Sequence, residues 1–139
     1  MTPSSSAELL LVEDSPDHIE LAMRVFQKLN TPLNIAILQD GEDALNYILG
    51  RGTYQDHPAT QLKLILLDLY LPKVSGTEIL RQIRMYAPTK DLPVAILSIT
   101  GNERGNLENE PFNVHHYLRK PLELNDFLKL YNIYLKPAD

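Results

Sequence analysis

Apolar residues in this chain fall in short blocks that alternate between strand-like and helix-like spacing. Leu9 to Val12 is a continuous apolar run closed by two acids, Glu13 and Asp14. Ser15-Pro16 follows, where Ser caps a helix and Pro fills its first position. The spacing of Ile19, Ala22, Val25, Phe26 and Leu29 predicts that helix, and Asn30-Thr31-Pro32 stops it. Leu33 to Leu38 predicts a second strand. Asp40-Gly41 then turns the chain into a second helix with Ala44, Leu45, Ile48 and Leu49 on one face, ended by Gly50 and Gly52. After a polar loop reaching about Gln61, Leu64 to Leu67 is apolar without alternation and runs into Asp68, as expected of a central parallel strand covered on both faces. A third helix carries Ile79, Leu80 and Ile83 and ends before Pro88. Val94 to Leu97 repeats the buried-strand pattern and ends at Ser98, and His115 to Leu118 predicts a fifth strand. Leu124, Phe127, Leu128, Tyr131 and Leu135 form the stripe of a last helix. A fourth helix belongs between residues 102 and 113, but Gly105, Pro111 and four Asn are poor helix material, so it is expected to be short or mobile.

Strand and helix thus alternate five times, which predicts an α/β fold: a doubly wound parallel sheet of five strands with five helices on its two faces. Ligands of such sheets bind outside the carboxyl ends of the strands. The chain's 139 residues suit one domain and leave no room for a second. Residues 1–7 are expected to form a disordered tail, without the basic and apolar regions of a secretory signal, and 8–139 the folded domain. No apolar run approaches the roughly 20 residues that span a bilayer, so a cytoplasmic protein is expected. Cysteine is absent, which excludes disulfides, thiolate catalysis and cysteine-ligated metals. A net charge of -5 and the lack of a basic patch argue against nucleic-acid binding.

The topology gathers polar residues at one edge: Glu13 and Asp14 after strand one, Asp68 after strand three, Ser98 after strand four and Lys120 after strand five. Three clustered carboxylates repel one another unless a cation neutralises them, and an all-oxygen set suits Mg²⁺. One carboxylate can then attack a phosphoryl group, while metal, hydroxyl and ammonium spread the charge of the transition state.

The stretches L-L-L-V-E-D at 9–14, L-L-D-L-Y-L-P-K-V-S-G at 66–76, P-V-A-I-L-S at 93–98 and Y-L-R-K-P at 117–121 resemble response-regulator receiver domains. The steps from Asp68 to Ser98 and on to Lys120 fit that family's spacing, as do Pro72 and Gly76. The resemblance implies a flavodoxin-like, receiver-type sheet of strand order 2-1-3-4-5. It implies that Asp68 is the phosphoacceptor, Asp14 a direct Mg²⁺ ligand, Glu13 an outer acid acting through water, and Tyr70 a ligand through its backbone carbonyl only. Ser98 and Lys120 would bind phosphoryl oxygens, Tyr117 matches the aromatic whose rotamer follows phosphorylation, and the bond before Pro121 is expected to be cis. The implied partner is a sensor histidine kinase. Within the family, Q-D-G-E-D-A-L-N-Y-I-L-G-R-G-T-Y at 39–54 is similar to the small regulators paired with bacterial phytochromes, which consist of a receiver alone.

Two positions depart from the family pattern. Ile99 stands where a small residue usually follows the hydroxyl, and is expected to crowd the site and slow phosphotransfer or hydrolysis. Asn113-Val114 replaces a Gly-Ala before strand five, and Asn tolerates left-handed backbone. His115 and His116 point to opposite faces of a strand and are expected to be structural. Ile133 and Tyr134 add apolar surface beside the last helix's stripe, which predicts a homodimer through that region. The leading function is signalling through the surface of helix four, strand five and the last helix after phosphorylation at Asp68; catalysis is confined to the protein's own modification. An unphosphorylated scaffold is the alternative, against which the intact set of Asp14, Asp68, Ser98 and Lys120 speaks. A turnover phosphatase would need an acid where Tyr70 stands, and a nucleotide switch would need a phosphate-binding glycine loop that is absent.

Overall fold

The computed structural model describes residues 6–56, 59–100, 107 and 112–137. Its centre is a parallel sheet of β1 (Leu9–Val12), β2 (Ile35–Leu38), β3 (Leu64–Asp68), β4 (Val94–Ser98) and β5 (His116–Arg119), in the order β2-β1-β3-β4-β5. Every residue of β1, β3 and β4 is buried, which is why these runs carry no polar alternation. The edge strand β2 alternates between buried and half-buried residues, and β5 is half-buried with Arg119 exposed.

Alternate strand residues feed two apolar layers. Leu10, Val12, Ile65, Leu67, Val94 and Ile96 face one side, covered by α2 (Gly41–Leu49) and α3 (Gly76–Met85). Leu9, Leu11, Leu64, Leu66, Ala95 and Leu97 face the other, covered by α1 (Pro16–Phe26) and the C-terminal helix (Leu124–Leu130), where the Phe26 and Phe127 rings meet tilted with centroids 4.9 Å apart. Each fully buried Leu or Ile contributes about 1.5–3 kcal/mol of transfer free energy, so these layers carry the fold. The expected helix between 102 and 113 falls almost wholly outside the described residues; Leu107 and Phe112 are described and are buried in the first layer. Of the expected tail, residues 1–5 also lie outside the description, while Ala7 is buried in the core.

Local chemistry sets the element ends. Ser15, Asp40 and Ser75 cap α1, α2 and α3 by accepting the amides of His18, Asp43 and Glu78. Gly41 is therefore the first residue of α2 and not part of a turn. It has no room for a side chain: a Cβ would lie 1.6 Å from the Val74 carbonyl oxygen, in the loop after β3. Gly50 closes α2 in the left-handed region, and Asn113 takes φ 51° before β5, as its side chain permits. β2 starts two residues later than the apolar run, because the amides of Glu8 and Leu9 converge on the Asn34 carbonyl and Leu33 packs without joining the ladder. The last helix widens into a π-turn over Tyr131–Leu135, which keeps both of these end residues buried. Arg84 reaches from α3 to the carbonyls of Thr89, Lys90, Leu92, Phe112 and Asn113, fastening the approach to β4 to the approach to β5.

Candidate functional site

The carboxyl ends of β1, β3, β4 and β5 open into a cleft of about 430 Å³ lined by Glu13, Asp14, His18, Asp68, Ser98 and Lys120, with Tyr70 and Ile99 at its wall. Register builds it. Val12 pairs with Leu67, so Glu13 comes level with Asp68; Asp68 pairs with Leu97 and Ser98 with Arg119, so Ser98 and Lys120 stand one step further along. Glu13, Asp68 and Ser98 are buried, and Asp14 is exposed at the mouth.

Lys120 holds the centre. Its Nζ lies 2.8 Å from Asp68 Oδ2 and 2.6 Å from Glu13 Oε1, with all three side chains more than nine-tenths buried. Burial opposes the ammonium charge, but the hydrogen bond to Asp68 and the contact with Glu13 outweigh it and hold the lysine pKa above its ordinary value. The other Asp68 oxygen accepts the amide of Tyr70 at 3.0 Å, which fixes the carboxylate plane. The following loop folds back tightly: the Gly76 amide donates to the Leu69 carbonyl, and a Cβ at residue 76 would lie 2.7 Å from the Asp68 carbonyl oxygen. The Lys120-Pro121 bond is cis.

The donor set fits a divalent cation. Glu13, Asp14 and Asp68 can each offer one oxygen, and these oxygens lie within 4.8 Å of one another. Glu13 Oε1 is buried against the Lys120 ammonium 2.6 Å away, so a cation at this cluster would share the Glu13 carboxylate with that lysine.

Of the predicted residues, Glu13, Asp14, Asp68, Tyr70, Ser98 and Lys120 meet at this cleft, while Tyr117 and Pro121 do not line it. Tyr117 lies half-buried on β5, packed on the layer that contains Leu107 and Phe112. Ile99 is 61% exposed, so its side chain borders the cleft mouth and does not fill the space over Asp68. His115 and His116 sit away from the cleft. The His116 Nε2 and Tyr134 hydroxyl are 2.8 Å apart, and His115 packs edge-on against the same tyrosine. His18 was missed from the sequence. The signal was its spacing of four from Asp14 across a Ser-Pro helix start, which returns the first turn of α1 to the strand ends.

Residues 9–132 match the sequence pattern of the response regulator receiver domain. The chain is 34% identical to the response regulator Rcp1 of Synechocystis sp. over 122 residues, covering 88% of this chain and 82% of that one. Its fold is similar to that of the bacteriophytochrome response regulator AtBRR, with a TM-score of 0.81 and 31% identity over 91% of this chain and 90% of that one. A response regulator Rcp1 solved in its Mn²⁺-bound form gives a TM-score of 0.75 at 31% identity, covering 95% of this chain and 97% of that one. Among the described residues no helix is long and apolar enough to cross a membrane.

Proposed function

The chain belongs to the response regulator receiver domain family of two-component systems, and from that premise we propose that it accepts a phosphoryl group on Asp68 from a sensor histidine kinase. The observation that carries this reading is the Lys120 ammonium set between the buried Asp68 and Glu13 carboxylates, in the cleft at the carboxyl edge of the sheet. A carboxylate oxygen of Asp68 attacks phosphorus, the P–N bond to the kinase imidazole breaks, and the bonding pair stays on that nitrogen, so an imidazole protonated on its other nitrogen leaves neutral. Lys120 moves from its carboxylate partners to a phosphoryl oxygen, and the Ser98 hydroxyl donates to another. Glu13, Asp14, Asp68 and the Tyr70 carbonyl would hold a divalent cation, Mg²⁺ by the hardness of the oxygen donors, which would supply charge neutralisation for the transferring group.

The phosphoryl group ends on this chain's own Asp68 as an acyl phosphate, so the chain works as a switch. Tyr117 lies on the strand that ends just before Lys120, and we read Ser98 and Tyr117 as the pair that shifts the surface around β5 and the C-terminal helix between two populations. The donor we favour is a phytochrome-type kinase in the cytoplasm, supported by the likeness to a bacteriophytochrome response regulator. Ile133, 61% exposed on the final turn, supports self-association through the C-terminal helix.

The test is intact mass after incubation with Mg²⁺ and either acetyl phosphate or a phosphorylated kinase, for wild type and Asp68→Asn. A labile phosphoryl adduct on wild type that the variant lacks is expected, with a bacteriophytochrome kinase transferring faster than an unrelated one. No adduct from either donor would mean an unphosphorylated scaffold.

A further inference from the structure

The loop between β3 and α3 carries Tyr70, and the start of α2 holds it from the side. The Pro72 carbonyl accepts two amides, that of Val74 at 2.9 Å and that of Gly41 at 3.0 Å. The first closes a three-residue turn around Lys73, whose φ of 70° lies in the left-handed region, where a residue with a Cβ is strained. The second comes from the first residue of α2. Gly41 is buried, and a Cβ there would stand 1.6 Å from the Val74 carbonyl oxygen and 2.6 Å from the Val74 carbonyl carbon, so no side chain fits unless the loop moves. Glycine is a poor helix former, so its place here answers to the loop and not to the helix. Asp40 adds a weaker link: one carboxylate oxygen accepts the Asp43 amide at 2.7 Å, and the other faces the Lys73 ammonium at 3.8 Å.

We infer that Gly41 is a positioning residue for phosphotransfer: seated on Pro72 and Val74, it holds Lys73 in its strained turn and so fixes the loop that sets Tyr70 beside Asp68. This rests on the reading of Asp68 as the phosphoacceptor and adds a residue that acts through the loop. The loop is pinned at its two ends, by the Gly76 amide on the Leu69 carbonyl and by the Gly41 amide on the Pro72 carbonyl. Tyr70 lies between these pins. Its amide donates to Asp68 Oδ1 at 3.0 Å, the oxygen opposite the one that meets Lys120. A turn with a side chain at positive φ persists only where its surroundings over-determine it, and the Gly41 amide and the close backbone contact with Val74 supply that constraint here. Once they are displaced, residue 73 relaxes out of the left-handed region, the loop swings, and the carboxylate loses the amide that fixes its plane. A misplacement of about 1 Å at a reacting group can cost as much as a hundredfold in rate.

Adduct formation from Mg²⁺ and acetyl phosphate is timed by intact mass for the full chain as wild type, Gly41→Ala, Lys73→Gly and the double variant, with urea midpoints measured in parallel. Gly41→Ala is expected to slow adduct formation about tenfold and to lower the midpoint. In the double variant the Lys73→Gly change lets the backbone take up the displacement at little cost, so the midpoint is expected to recover while the reaction stays slow. Lys73→Gly alone keeps Gly41 on the loop and is expected to react within about twofold of wild type; a fall as large as that of Gly41→Ala would place the effect at residue 73 and overturn the role of Gly41. A merely structural glycine would give a rate that recovers with the midpoint, or a folded Gly41→Ala protein that reacts as fast as wild type. Either result overturns the inference, as does a double variant whose midpoint stays low. A wild type that forms no adduct overturns the phosphoacceptor reading itself, and this inference with it.

Discussion

Ile99 follows the site hydroxyl of Ser98 at the end of β4, and its branched side chain stands largely in solvent at the cleft mouth. It therefore narrows the path of an incoming phosphoryl donor or attacking water while contributing little to packing. Ile99→Ala is expected to speed adduct formation or loss roughly three- to tenfold, a barrier on the order of 1 kcal/mol, measured by phosphorylation time courses. Stability should change by less than about 0.5 kcal/mol. At this scale the residues ending buried strands were legible, because an apolar run without alternation fixes where the strand stops and the topology gathers the ends. His18 and Arg84 were not. A histidine in a first helical turn and an arginine in a last one are ordinary surface choices, and only the fold turns the first toward Lys120 and the second toward five carbonyls.

The pairing of β5 with the C-terminal helix carries a pH dependence. Burial, with the Arg84 charge second, holds the pKa of His115 below its usual 6.5, and burial alone does so for His116. Both rings are thus neutral in the fold and protonate more readily once unfolded. The unfolded state binds more protons below pH 6.5, so the stabilisation is complete above that value and is lost as pH falls through the folded-state pKa values. Urea midpoints should fall between about pH 7.5 and about pH 5.5, and a His115→Gln/His116→Gln double variant should flatten the slope. A wild-type midpoint that rises on acidification would contradict this. The central strands were the most readable elements because burial on both faces removes ambiguity. β2 was overextended from Leu33, since an apolar residue can pack under an edge without joining its ladder. The widened turn at Tyr131–Leu135 leaves no mark in the apolar stripe, since α and π spacing bury the same residues over so short a stretch.

For the molecule as a whole, two apolar layers hold a sheet whose carboxyl edge gathers acids, hydroxyl and ammonium. If the C-terminal helix forms the contact between copies, Ile133→Asp should convert a dimer into a monomer in light scattering after gel filtration and leave phosphorylation intact. A wild type that stays monomeric with and without acetyl phosphate would refute that interface. The central claim concerns one carboxylate among three neighbours, so the decisive measurement locates the phosphoryl group. Protein treated with acetyl phosphate and Mg²⁺ is reduced with borohydride, which converts an aspartyl phosphate to homoserine, and the product is mapped by peptide mass spectrometry. Homoserine at position 68, formed only when Mg²⁺ is present, is the predicted result; homoserine at position 14 or elsewhere, with Asp68 unmodified, would contradict it.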